Sequence, residues 1–116
     1  MAVMVEAREL TKYYGDFRAI ENLTFEVKKG EIIGLLGPNG AGKTTTMRII
    51  TGFMPPSSGT TRISGFDMVD QSLEARASIG YLPETVPLYT EMTVEGYLSF
   101  MGSIRGMTSK SIRSRI

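Results

Sequence analysis

GPNGAGKT, from Gly37 to Thr44, is the stretch of sequence that decides the predicted fold. Its first glycine and its last three residues match the pattern G-x-x-x-x-G-K-[ST], which is typical of a phosphate-binding loop. Glycine at positions 37, 40 and 42 lets the backbone pass close to a phosphate and adopt positive φ at little cost. Successive N–H groups can therefore converge on phosphate oxygens.

The sequence on either side supplies the context that such a loop requires. The segment Glu31 to Leu36 is apolar on both faces, which predicts a strand buried inside a sheet. Lys43 to Thr51 predicts a helix, which Gly52 and then Pro55-Pro56 bring to an end. A strand, a glycine loop and a helix follow one another, so the positive end of the helix dipole faces the loop.

The last two residues of the loop indicate which ligand it holds. Lys43 supplies an ammonium group for the β- and γ-phosphates of a nucleotide. The Thr44 hydroxyl can take one coordination position on Mg²⁺, which keeps water and phosphate oxygens as its other ligands. Mg²⁺ is therefore the cofactor ion that the sequence implies.

The remaining sequence alternates strand and helix patterns, which favours the α/β class. Apolar side chains at alternate positions predict strands, and stripes at helical spacing predict helices. The predicted strands are Val3 to Leu10, Leu23 to Val27, Gly59 to Ile63 and Ile79 to Leu82, with a turn at Gly15-Asp16. The predicted helices are Asp70 to Ala77, Thr93 to Arg105 with Thr93 as its cap, and a last one capped by Thr108 or Ser109.

Composition limits the chain to one domain and excludes some kinds of chemistry. With 116 residues, no Cys and no His, the chain has neither a disulfide framework nor an imidazole that could act as a base. No stretch resembles a secretory signal or a membrane span. The last dozen positions carry only positive charges, for which a nucleic-acid or lipid-binding tail is one interpretation and a solvated helix face the favoured one. These charges are Arg105, Lys110, Arg113 and Arg115.

Three motifs together closely resemble the nucleotide-binding domain of ATP-binding cassette (ABC) transporters. They are LTKYYG at 10–15, GPNGAGKTTTMRIITG at 37–52 and IGYLPE at 79–84, and the resemblance covers essentially the whole chain. It implies an α/β, P-loop NTPase fold of the ABC ATPase type, incomplete, with N-terminal antiparallel strands and the start of a helical subdomain. The chain would be the N-terminal part of a single domain, with a core at about 1–92 and the start of the helical subdomain at 93–116.

The resemblance also assigns residues to the nucleotide. Tyr14 matches the residue that stacks on adenine, and Tyr13 is the competing candidate. Thr45 matches a hydroxyl residue that reaches the α-phosphate. The Walker A loop is carried over position by position: Gly37, Pro38, Asn39, Gly40, Ala41, Gly42, Lys43 and Thr44.

Glu84 is a departure from the family pattern, which most often has Gln at this place. Its carboxylate can still approach Mg²⁺, so Thr44 and Glu84 are the predicted metal residues. Glu here resembles an exporter-like branch with separate membrane permeases, including gliding-motility and drug-resistance types. The loop after Glu84 would face the permease, and the apolar stripe of the Thr93 to Arg105 helix would pack in a core.

The resemblance implies the ATP-binding subunit of an ABC transporter, an ATPase in its complete form. The family's signature sequence, Walker B carboxylates and switch His do not occur in this sequence. We therefore expect no catalytic residue here and ATP binding without significant turnover. The alternatives are a non-hydrolysing nucleotide-binding half-domain or truncated product, and a different P-loop protein, which would need an Asn-Lys-x-Asp motif or a mobile lid.

The implied partners are a membrane permease subunit and a second copy of the ATPase domain, with no nucleic acid. The implied location is cytoplasmic, on the inner face of the cell membrane through the permease. Without the rest of the sheet, the apolar faces of Ile32 to Leu36 and Ile79 to Leu82 would be exposed.

Overall fold

The computed structural model describes residues 2–37, 42–83 and 88–116. The chain forms two compact units, Met1–Tyr81 and Leu82–Ile116. The first unit holds β1 (Val3–Tyr14), β2 (Phe17–Lys28), α1 (Lys43–Ile50), β3 (Ser58–Ile63), β4 (Phe66–Asp67) and α2 (Ser72–Ala77). The second unit holds α3 (Val94–Ile104) and α4 (Ser109–Arg115).

A four-stranded antiparallel sheet in the order β2-β1-β3-β4 organises the first unit. β1 and β2 form a long hairpin around the predicted turn at Gly15-Asp16, and both strands extend well beyond their predicted ends. The hairpin tip carries the aromatic residues of the LTKYYG motif. β4 pairs with the end of β3 and was not predicted from the sequence.

Four register shifts interrupt the pairing of β1 with β2, and the two central ones are bulges at residues with positive φ, one on each strand. Glu9 on β1 and Asn22 on β2 both have a φ of 48°. A threonine on the opposite strand accepts each displaced N–H: Thr24 Oγ1 at 2.9 Å from Glu9 N, and Thr11 Oγ1 at 3.0 Å from Asn22 N. The bulge at Glu9 shifts the pairing register by one residue, and the bulge at Asn22 reverses that shift. Bulges of this kind increase the local twist of a hairpin.

The main hydrophobic core lies where α1 packs on this hairpin. It contains Ala7, Leu10, Ile20 and Ile49, of which Leu10 and Ile49 are the largest fully buried apolar side chains. Ile63, Met68 and Ala75 form a second cluster that joins β3 to α2. The helix that follows the predicted phosphate loop is therefore anchored directly on the sheet.

Two predicted strands are absent, and both predictions were wrong for this chain. Residues 31–37 and 79–82 have no strand assignment. A strand inside a parallel sheet needs a hydrogen-bonding neighbour, and among the described residues no strand pairs with either segment. The expected exposure is confirmed for Ile32 and Leu36, which are almost fully exposed, and for Leu82, which is 81% exposed. Ile79 is an exception, because it is partly buried against the second cluster.

The two helices of the second unit begin at predicted capping residues. The Thr93 hydroxyl accepts the Gly96 N–H at 3.0 Å, and the Thr108 hydroxyl accepts the Ser111 N–H at 3.1 Å. Core packing of the α3 stripe was a wrong prediction, since no residue of α3 is buried. α4 offers a single buried residue, Ile112, which is too little to cover an apolar stripe of three turns. Within the described part of the chain, no helix is long and apolar enough to cross a membrane.

Candidate nucleotide-binding site

Gly42, at the end of the glycine-rich stretch, fixes the start of α1. It has a φ of 89°, in the left-handed region that residues with a Cβ rarely adopt. A Cβ at this position would lie 2.6 Å from the carbonyl oxygen of Ala19 on β2. Both its conformation and its close contact with the hairpin therefore require glycine.

The N-terminus of α1 is suited to an anion. No side chain that the structure describes caps it, and its first turn contains no acidic residue. Its first N–H groups and the positive end of the helix dipole are thus left for an external acceptor. Lys43 is partly exposed at this end and Thr44 is exposed. Among the described residues, no carboxylate forms a salt bridge with Lys43.

The structure brings two of the predicted nucleotide residues into contact. The Tyr14 hydroxyl lies 3.4 Å from the Thr45 hydroxyl and 3.2 Å from the sulfur of Met54. The Tyr14 side chain remains 41% exposed, whereas Thr45 is buried in the first turn of α1. The aromatic ring proposed for the base is therefore joined to the helix proposed for the phosphates.

Tyr13, the competing aromatic residue, is placed differently. Neighbouring side chains on a strand point to opposite faces, so Tyr13 and Tyr14 do not face the same side of β1. The Tyr13 N–H donates to the Ser57 hydroxyl at 3.0 Å. Contact with α1 favours Tyr14, whose role in base stacking stays a prediction.

Part of the predicted site lies outside the described residues. This applies to Pro38, Asn39, Gly40, Ala41 and Glu84. Gly37 is described, and it is exposed at the end of the apolar segment.

The donor set around α1 fits Mg²⁺ that is bound together with a nucleotide. Over the ranges that the structure describes, no three His, Cys, Asp or Glu side chains come together as a metal site. Mg²⁺ is often held by one or two protein oxygens together with the phosphates of a substrate. The exposed Thr44 hydroxyl can be one of these oxygens.

The sequence prediction missed Lys12. Its Nζ donates to the Pro55 carbonyl oxygen at 2.9 Å and lies 5.8 Å from the centroid of the Tyr14 ring. Alternation along a strand places residues 12 and 14 on one face, so the pattern Lys-Tyr-Tyr contained the signal. Lys12 therefore belongs to the surroundings of the predicted base site.

Comparisons with known proteins agree with these observations. A family model described as ABC transporter matches residues 20–114. Over 113 residues the chain is 42% identical to the probable multidrug ABC transporter ATP-binding protein YbhF of Escherichia coli (strain K12), covering 97% of the chain and 20% of that protein. The chain spans about a fifth to two-fifths of the length of the curated relatives that it matches.

Two solved structures have the same fold over nearly all of the chain. One is the ATP-binding subunit of an ABC transporter, 35% identical with a TM-score of 0.86, covering 97% of this chain and 47% of that one. The other is a bacterial ABC transporter cassette in a dimeric structure, 25% identical with a TM-score of 0.82, covering 97% of this chain and 53% of that one.

Proposed function

The chain belongs to the ABC transporter family, and from this membership we propose that it binds Mg-ATP at the start of α1 as part of a transporter's ATP-binding subunit. The predicted family and the predicted ABC ATPase fold are confirmed. The observation that carries the proposal is the uncapped N-terminus of α1, with Lys43 beside it and Tyr14 in contact with its first turn.

The proposed roles follow from the chemistry of each group. Gly37 to Thr44 are the residues proposed to bind the phosphates, and Lys43 offsets their negative charge. Thr45 reaches the α-phosphate and the Tyr14 ring stacks on the base. Thr44 and Glu84 would supply oxygens to Mg²⁺, which would neutralise part of the charge of the phosphates.

We propose an exporter-type transporter as the setting. YbhF is named as a probable multidrug protein, which supports an export role. The dimeric structure of the related cassette supports a second copy of the domain as a partner. The other proposed partner is a membrane permease, which would hold the subunit at the inner, cytoplasmic face of the cell membrane.

In a complete subunit, we propose that ATP hydrolysis drives transport. The 116 residues supply groups for binding and positioning the nucleotide but no His and no predicted catalytic carboxylate. Because phosphoryl transfer depends on charge stabilisation around the γ-phosphate, we expect this chain alone to bind ATP with negligible turnover. Robust Mg²⁺-dependent phosphate release by the pure chain would contradict this expectation.

Calorimetric titration with Mg-ATP tests the binding proposal. Lys43→Ala removes a charge-assisted contact, and we expect affinity to fall about 10- to 100-fold. Lys29→Ala is the matched control, because Lys29 is an exposed lysine at the turn after β2, at the other end of the strand from the hairpin tip. Equal affinity of Lys43→Ala and the unmodified protein would overturn the proposed phosphate site.

A further inference from the structure

The hairpin tip is tied to the segment that connects α1 to β3. Ser57 N–H donates to the Thr11 carbonyl oxygen at 2.8 Å, and Tyr13 N–H donates to the Ser57 hydroxyl at 3.0 Å. The Lys12 ammonium adds a third bond, at 2.9 Å to the Pro55 carbonyl oxygen. The first two bonds reach the backbone of β1, and the third reaches the Lys12 side chain. The segment between α1 and β3 therefore fixes both the end of β1 and the Lys12 ammonium.

Lys12 in turn covers the Tyr14 ring. Its Nζ lies over the ring at 5.8 Å from the centroid, within the range of about 6 Å for a cation–π interaction. The hydroxyl end of the same ring is held near Thr45 and Met54. The ring is therefore restrained from its end and from one face, while 41% of the residue stays exposed.

We propose that Lys12 is a positioning residue for the nucleotide base. It fixes the Tyr14 ring and occupies one of its faces, so that the base stacks on the opposite face. This inference rests on the proposed function, since it requires that Tyr14 stacks on a base. Lys12 acts through Tyr14, because its ammonium is directed at the ring and at the Pro55 carbonyl.

Comparing a ligand that has a base with one that lacks it separates this role from phosphate binding. The probes are Mg-ATP and Mg-tripolyphosphate, titrated calorimetrically into the full chain. Lys12→Met keeps the apolar stem and removes the charge; we expect roughly two- to fivefold weaker binding of Mg-ATP, from the loss of an exposed cation–π contact. Tripolyphosphate binding should be unchanged.

Three further variants sharpen the test. Lys12→Arg keeps a cation and an N–H donor, so it should restore most of the ATP affinity. Lys29→Met is the control for loss of a lysine charge and should change neither titration. In a Tyr14→Ala background, Lys12→Met should cost no further affinity, because residues that act through one contact are not additive.

The outcomes distinguish this inference from the proposed function. Unchanged ATP binding by Lys12→Met, or an equal loss for ATP and tripolyphosphate, would overturn the role of Lys12 and leave the phosphate site standing. If the unmodified chain binds neither probe, the proposed function itself is wrong and the inference is wrong with it. Should Lys12→Met fail to fold, Lys12→Gln keeps an N–H donor without the charge and must show the same loss that is specific to ATP.

Discussion

Two apolar regions of the first unit have opposite environments. Leu10 and Ile49 are fully buried where α1 meets the hairpin, whereas Ile32 and Leu36 are almost fully exposed in the segment before the glycine loop. All four are large aliphatic residues, so their composition does not explain the difference. The hairpin pairs its own backbone and offers α1 a face, while the segment 31–37 has no paired strand among the described residues. Burial here follows from backbone pairing.

The largest loss of stability is expected from truncating a side chain in the core between α1 and the hairpin. Ile49→Ala removes a fully buried side chain from the main core, and we expect the free energy of unfolding to fall by about 2–5 kcal/mol. Leu36→Ala, at a residue that is 93% exposed, should change it by less than about 0.5 kcal/mol. Urea unfolding of both variants measures the contrast, and similar losses would show that the two regions are equally packed in solution.

A second contrast concerns two glycines, one in each region. Gly42→Ala places a Cβ at a φ of 89° and 2.6 Å from the Ala19 carbonyl oxygen, which should cost about 1–3 kcal/mol. Gly34→Ala meets no atom of the described residues within 4 Å and should be close to neutral. Urea midpoints test the difference. A Gly42→Ala chain as stable as the unmodified one would mean that α1 does not start against the hairpin.

The comparison also explains which parts of the fold could be predicted. The hairpin turn at Gly15-Asp16 and the cap at Thr93 depend on neighbours in sequence, and both were correct. The strands at 31–36 and 79–82 were predicted from apolarity alone. Their formation depends on hydrogen-bonding partners distant in sequence, which a local pattern cannot supply.

In the candidate site, too, features set by local sequence could be predicted, and contacts between distant residues could not. The glycine pattern predicted Gly42 and Lys43 as site residues, because a phosphate loop has a fixed spacing. The contact between Tyr14 and Thr45 joins residues 31 positions apart, and the approach of Ala19 to Gly42 depends on pairing within the hairpin. Such contacts follow from the register of the bulged hairpin, which the sequence pattern did not reveal.

A smaller effect is expected from the hydroxyl that joins the hairpin tip to α1. Tyr14→Phe keeps the ring and removes the contacts to Thr45 and Met54, so stability should fall by about 0.5–1.5 kcal/mol. Tyr13→Phe is the matched control, and it should change stability by less than about 0.5 kcal/mol. Chemical unfolding measures both variants. Equal effects of the two would show that the Tyr14 hydroxyl does not hold the tip on the helix.

The smallest effect on stability is expected in the exposed segment 31–37, where substitutions should instead change dye binding and self-association. Ile32→Gln together with Leu36→Gln replaces two almost fully exposed apolar side chains, so the free energy of unfolding should change by less than about 0.5 kcal/mol per site. Exposed apolar patches bind hydrophobic dyes and promote association, so anilinonaphthalene sulfonate fluorescence and self-association should both decrease. Ile33→Gln, at a residue that is 52% exposed, is an internal comparison and should show a smaller decrease in fluorescence. If the double variant instead lost as much free energy of unfolding as Ile49→Ala, the segment 31–37 would be covered in solution. The two regions would then not differ in burial.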